Sequence, residues 1–177
     1  VAENQGQYDK AIPRYRDALA LLTDIGDLWG QSIVLGNLGY IYARVGDTEA
    51  ARAHYRRDLA ICRSLGDRRG ESWTQGYLSL LAHQEGRHQV ALRHALTALE
   101  LARAIDHPPL IARALTHAGH AWTGLSAWDR AECAYQEALD LRRKSGEWAL
   151  ALETRACLIR VFFFKQKTAY ELMSSDW

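Results

Sequence analysis

A chain of 177 residues, 48% of them apolar, is long enough to bury a core as one domain or as a short array of repeats. Its 22 Lys and Arg against 21 Asp and Glu leave no net field of the kind that draws nucleic acid, an anionic membrane or an acidic partner. Three widely spaced cysteines, Cys62, Cys133 and Cys157, include no Cys-x-x-Cys pair for zinc or redox exchange and read as small apolar fillers in a reducing compartment.

In chain order, residues 1–25 predict one helix. Pro13 inside it predicts a kink or a late helix start, because a missing amide costs about 3 kcal/mol in a helix interior. Beyond it the apolar residues step by three and four. Leu35, Leu38, Ile41 and Tyr42 are followed by Ala51, Tyr55, Leu59 and Cys62, which predicts two amphipathic helices. "GDLWGQ" at 26–31 then returns as "GDRRGE" at 66–71, an interval of forty, and the helix pair returns with it.

Four alanines (Ala11, Ala51, Ala91, Ala131) and four leucines (Leu19, Leu59, Leu99, Leu139) keep that interval. Tyr15, Tyr55 and Tyr135 keep it with Ala95 as the exception, and Leu38, Leu78 and Leu158 with Ala118 as theirs. Two glycine columns punctuate the helices. One holds Gly26, Gly66 and Gly146 with Asp106; the other holds Gly6, Gly46 and Gly86 with Ser126. Glycine suits the left-handed residue that ends a helix, and Asp27 or Asp47 just after it can accept from the free amides of the next helix. "SAWD" at 126–129 approximates a capping box, and Pro108 and Pro109 are tolerated in a first turn. Gly39, Ser79 and Gly119 are expected to face Ala51, Ala91 and Ala131, bringing the two backbones close and seating Tyr55 or Tyr135.

The order Leu38, Gly39, Tyr42, Gly46, Ala51, Tyr55 resembles the tetratricopeptide repeat signature. Leu78, Gly86 and Ala91 follow it in the next copy, and Gly119, Trp122, Ala131 and Tyr135 in the one after. The usual period is about 34; the longer one here resembles the variant of kinesin light chains, spindle-orientation adaptors, bacterial signal-transduction ATPases and antibiotic-regulatory activators. The resemblance implies an all-α, right-handed superhelical solenoid of antiparallel helix pairs over residues 1–161, starting in mid-repeat.

After Arg160 the columns fail, although Phe162 still falls under Tyr42 and Trp122. All three Phe and the only Met lie in this last stretch. Two readings account for residues 162–177: a divergent capping helix, or a translated sequencing adapter, which "FFFKQKTAYE" resembles. The tail is therefore left out of the functional reading.

Chemistry-bearing motifs are missing from the sequence. There is no phosphate-binding Gly-x-x-x-x-Gly-Lys loop, no Gly-x-Ser-x-Gly elbow and no His-Glu-x-x-His. His117 and His120 share a helical face, with His83 one repeat away, but lack a third ligand. No enzyme, metal or cofactor is expected. The basic clusters "RRGE" at 68–71 and "LRRK" at 141–144 read as solvated helix ends. No run of 18 apolar residues and no leader occurs, so the cytoplasm is expected; Val1 in place of Met points to a processed chain or a fragment.

In the family the first helices line the concave surface. Carried over by column, the resemblance implies partner-binding roles for Asn37, Tyr40, Arg44, Trp73, Tyr77, Gln84, Arg113, His117 and His120. Asn37 can hold a peptide backbone, Arg44 and Arg113 a carboxylate, and Trp73 with Tyr77 apolar anchors. If His117 and His120 face a bound carboxylate, binding is expected to strengthen as the pH drops through their usual titration range near about 6.5. The partner implied is a protein or peptide, or a further domain of a larger bacterial regulator. A structural spacer or self-association module and an RNA-binding array are the alternatives.

Overall fold

The computed structural model describes the backbone of residues 2–175 and the side chains of residues 7–168 and 170. Among the described residues the chain forms eight helices and no strand: α1 (Ala2–Asp24), α2 (Leu28–Val45), α3 (Thr48–Leu65), α4 (Arg68–Gln84), α5 (His88–Ala104), α6 (Pro108–Gly124), α7 (Trp128–Lys144) and α8 (Trp148–Ser175). Short turns make consecutive helices antiparallel neighbours, and α2 also touches α4, as α4 touches α6. The first helices of successive pairs thus build one wall of an all-α, right-handed superhelical solenoid, and the second helices build the other.

The turns explain why the interval is so strict. Gly26, Gly46, Gly66, Gly86 and Gly146 all take positive φ, between 67° and 88°. Asp106 (φ 47°) and Ser126 (φ 55°) take it too, so every turn carries one left-handed residue, whatever its side chain. Helix starts are less uniform. Asp27, Asp47 and Asp67 each accept from the amide three residues on, at 2.9–3.0 Å. His107 Nδ1 accepts from the amide of Leu110 at 3.4 Å, above Pro108 and Pro109 in the first turn of α6. The expected capping box at 126–129 does not form: the N-cap of α7 is Ala127, and Ser126 fills the left-handed position instead.

α1 also departs from expectation. It runs through Gly6 and Pro13 as one helix from Ala2, with no late start. The proline removes one amide from the ladder, and the rest of the helix stays bonded around it.

Between walls, small residues set the spacing. Ala51, Ala91 and Ala131 are wholly buried. Tyr55 and Tyr135 lie flat against Gly39 and Gly119, where an added Cβ would stand 2.5 Å from each ring. In the middle copy, where Ala95 replaces the tyrosine, Ser79 takes the glycine's place and donates its hydroxyl to the carbonyl of Ala91 (2.8 Å). At the far end Val161 is buried, whereas Phe162 is 54% exposed, because among the described residues no helix follows α8 to cover it.

Candidate functional site

The wall formed by α2, α4 and α6 presents side chains one helical turn apart. On α4 these are Trp73, Tyr77, Leu80 and Gln84; on α2, Ile33, Asn37, Tyr40 and Arg44; on α6, Arg113, His117 and His120. Three cavities run along this wall. One of 210 Å³ between α2 and α4 is lined by Trp29, Ile33, Asn37, Trp73 and Tyr77. A second of 170 Å³ takes Tyr40, Arg44, Tyr77 and Gln84. A third of 420 Å³ lies between α4, α6 and α8 and takes Trp73, Arg113, His117 and His120. Trp73 is shared by the first and third, Tyr77 by the first and second, and Leu80 by the second and third, so the three form one groove.

Aromatic packing holds that groove in shape. Tyr77 stacks on Tyr55 with centroids 5.2 Å apart and meets Trp73 edge-on at 6.1 Å. Trp29, Ile33, Tyr40 and Trp73 remain exposed along it. The side chains of Asn37, Arg44 and Gln84 are exposed and make no hydrogen bond or ion pair with the described residues.

Below Asn37 the floor is acidic. Asp58, buried on α3, accepts from Ser32 Oγ and Thr74 Oγ1, each at 2.5 Å, and from Cys62 Sγ at 3.5 Å. Burial pushes the Cys62 thiol up to about 12, with Asp58 adding to the rise, so this cysteine is no nucleophile at neutral pH. Asp58 occupies a column otherwise filled by Ala18, Ala98 and Ala138. That break in the column was the available sign of it.

At the α6 end the charged groups are largely desolvated. The Arg113 guanidinium lies 3.1 Å over the Trp73 ring and 5.6 Å from that of Tyr77. Burial lowers its pKa to about 9, and the Arg142 charge adds to the lowering. His117 turns its Nδ1 towards Gly76, enclosed and without a partner. His120 pairs its Nδ1 with the Tyr135 hydroxyl at 2.8 Å. Burial, with Arg113 next, holds His117 down to about 3, and burial with His83 holds His120 down to about 4. Both rings are therefore neutral from pH 8 to about 5.5 in the free chain, where a titration near the usual value of about 6.5 was expected.

Arg142 was read as part of a solvated helix end. The structure buries it to 5% exposure on the floor of the third cavity. Its column partners Cys62 and Ala102 are buried as well, and that register was the signal that would have found it. Arg143 and Lys144 beside it are exposed, as are Arg68 and Arg69. His83 Nδ1 lies 3.2 Å from His88 Nδ1, and its ring is 5.7 Å from that of His120. Among the described residues no group of three or more His, Cys, Asp or Glu is placed to hold a metal ion. Nor is any described helix long and apolar enough to cross a membrane.

A sequence profile described as "Tetratricopeptide repeat" matches residues 1–64 and, overlapping them, 30–104. No curated protein matches the chain. Among solved structures, the apo form of RapI has a TM-score of 0.80 at 20% identity, covering 96% of this chain and 47% of that one. A Rap protein complexed with competence and sporulation factor has a TM-score of 0.79 at 20% identity, over 98% of this chain and 48% of that one. A signal transduction ATPase with numerous domains and a tetratricopeptide repeat sensor, from Pyrococcus horikoshii, has 0.76 at 20% identity, over 89% and 24%. The chain spans about half the length of the two Rap structures, and at these identities the likeness is one of fold.

Proposed function

Because the chain belongs to the tetratricopeptide repeat family, matched at residues 1–64 and 30–104, we propose that it is a protein-interaction module whose first-helix groove holds an extended peptide or partner segment. The observation that carries this is the belt of exposed Trp29, Ile33, Tyr40 and Trp73 along one continuous groove, beside the unpaired Asn37 and Arg44. Apolar anchors flanked by free donors and acceptors suit a peptide, which brings both side chains and unsatisfied backbone amides.

The solved neighbour complexed with competence and sporulation factor supports the reading, since its fold is similar over 98% of this chain. In this proposal the array is a segment of a larger bacterial regulator in the cytoplasm. Its groove then meets a partner or another domain of the same protein. The sensor-bearing ATPase neighbour, of which the chain covers 24%, supports that setting, as do three free cysteines.

A peptide-array pull-down tests it. Binding that is lost in Asn37→Ala and Arg113→Ala is the expected result. No peptide bound, together with dimerisation that grows with concentration, replaces the reading with a self-association module. Filter-bound RNA with a steep salt dependence replaces it with a nucleic-acid array.

A further inference from the structure

The column that holds Ala18, Ala98 and Ala138 carries a carboxylate at residue 58. Packing does not require it. In the next repeat Ser72 donates its hydroxyl to the carbonyl of Ala98 at 2.9 Å, so the corresponding helix pair closes around an alanine. Asp58 is nonetheless only 5% exposed, and a buried charge is costly unless its lost hydration is replaced. Ser32, Thr74 and Cys62 hold its two oxygens but bring no positive charge, and among the described residues no ion pair reaches it. Asp67, on the same 210 Å³ cavity, caps α4 through the Gly70 amide at 2.9 Å and has no ion pair either. That lining contains no Lys, Arg or His. Residue 36 is glycine, and a side chain there would begin 3.6 Å from Asp58 Oδ2 and cover it.

We infer that this cavity between α2 and α4 binds a primary alkylammonium group, with Asp58 as its counter-ion. An ammonium brings three N–H donors on a compact charge. The lone pairs that Asp58 has left, with the free side-chain carbonyl of Asn37 in the same lining, accept them. Trp29, Ile33 and Tyr77 wall the cavity and take the alkyl chain, and the aromatic faces favour a cation over a neutral amine. A guanidinium fits less well, because both oxygens of Asp58 already accept from hydroxyls and leave no free bidentate edge for a planar fork. A quaternary ammonium has no N–H to give the carboxylate. A metal ion lacks ligands, since among the described residues no group of three His, Cys, Asp or Glu is placed to hold one. Arg113, stacked on Trp73 from the third cavity, lies outside this lining and opposes the bound charge, which keeps the affinity modest. The site stands whether its ammonium belongs to a lysine of a bound peptide or to a free amine.

The probe is n-butylammonium chloride, the lysine side chain capped with hydrogen. It is titrated at neutral pH against sodium chloride at equal ionic strength, reading tryptophan fluorescence and the melting temperature. The expected result is a saturable change in fluorescence and a rise of about 3–5 °C at ten times the dissociation constant. Asp58→Ala copies the sister repeats, so it keeps its helical circular dichroism and loses both responses. Asp58→Asn keeps the hydroxyl contacts without the charge and weakens binding by about tenfold or more. No saturable response, or an unchanged one in both Asp58 variants, overturns the site. Tetramethylammonium binding as tightly as butylammonium overturns the primary-ammonium assignment in favour of an aromatic cage. Nα-acetyl-lysine amide binding more tightly than butylammonium supports the site with a peptide lysine as its source; the reverse order supports it with a free amine. If butylammonium saturates while the peptide array stays silent, the peptide reading fails and the ammonium site stands. Peptides bound without any amine response keep the groove and overturn the site.

Discussion

Tyr55 covers Gly39 so closely that a Cβ on residue 39 would lie 2.5 Å from Tyr55 Cε1. Gly119 and Tyr135 repeat the relation, and Ser79 with Ala95 is its variant, so the size of one residue is set by the size of the other. Gly39→Ala is therefore expected to destabilise the fold by about 1–3 kcal/mol through overpacking. Ala91→Leu is expected to cost about as much at its own crossing. The double change Gly39→Ser with Tyr55→Ala copies the middle repeat. It should cost less than the sum of the two single changes, by about 0.5–3 kcal/mol of coupling. Urea denaturation of the four proteins in that cycle measures it.

Ser126 holds a left-handed conformation at φ 55°, where the sister turns use glycine. An L-residue there costs about 1–2 kcal/mol, and glycine gives back about 0.5–1 kcal/mol of chain entropy. Ser126→Gly should thus stabilise by about 0.5–1 kcal/mol. A urea midpoint equal to or below that of the parent would count against it.

His117 and His120 ionise in the fold only near 3 and 4, far below the usual 6.5, chiefly through burial. The unfolded chain therefore binds protons first. Stability is complete above about pH 6.5 and falls as the pH drops from there towards the folded values. By pH 5.5 each ring forfeits at most about 1.4 kcal/mol. His54, His83 and His94 are lowered too and act in the same direction. Unfolding free energies at pH 7.5 and 5.5 should differ in this sense, and His117→Gln should flatten the slope. Peptide affinity should change little from pH 8 to 5.5.

The stretch 162–177 meets the array through a Trp128–Phe164 stack at 5.5 Å and through Lys165, which reaches Asp129 (2.5 Å) and Glu132 (3.0 Å). We propose that the array proper ends at residue 161. A chain stopped there keeps every residue of the groove and should bind peptides as before. Loss of the stack should lower its melting temperature by about 2–4 °C. Weakened peptide binding in the shortened chain would show that the tail belongs to the working unit. Resequencing the locus from genomic DNA checks whether those codons belong to the reading frame.

What the sequence determined by itself is what depends on near neighbours. Apolar steps of three and four make the helices, and one left-handed residue after each makes the turn. Repetition then stacks the pairs, because a lone pair leaves an apolar face wet. Even Asp106 and Ser126 could be placed by interval alone, since the turn dictates φ to whatever residue stands there. The groove's membership was legible in the same way, as columns on the first helices. The chemistry inside it was not. The unpartnered Nε of Arg142 and the orphaned Nδ1 of His117 arise where α4, α6, α7 and α8 converge, tens of residues apart in the chain. Desolvation and the field of other buried charges act through space, so only the assembled helices decided which buried polar atoms lack a partner and which histidine stays neutral.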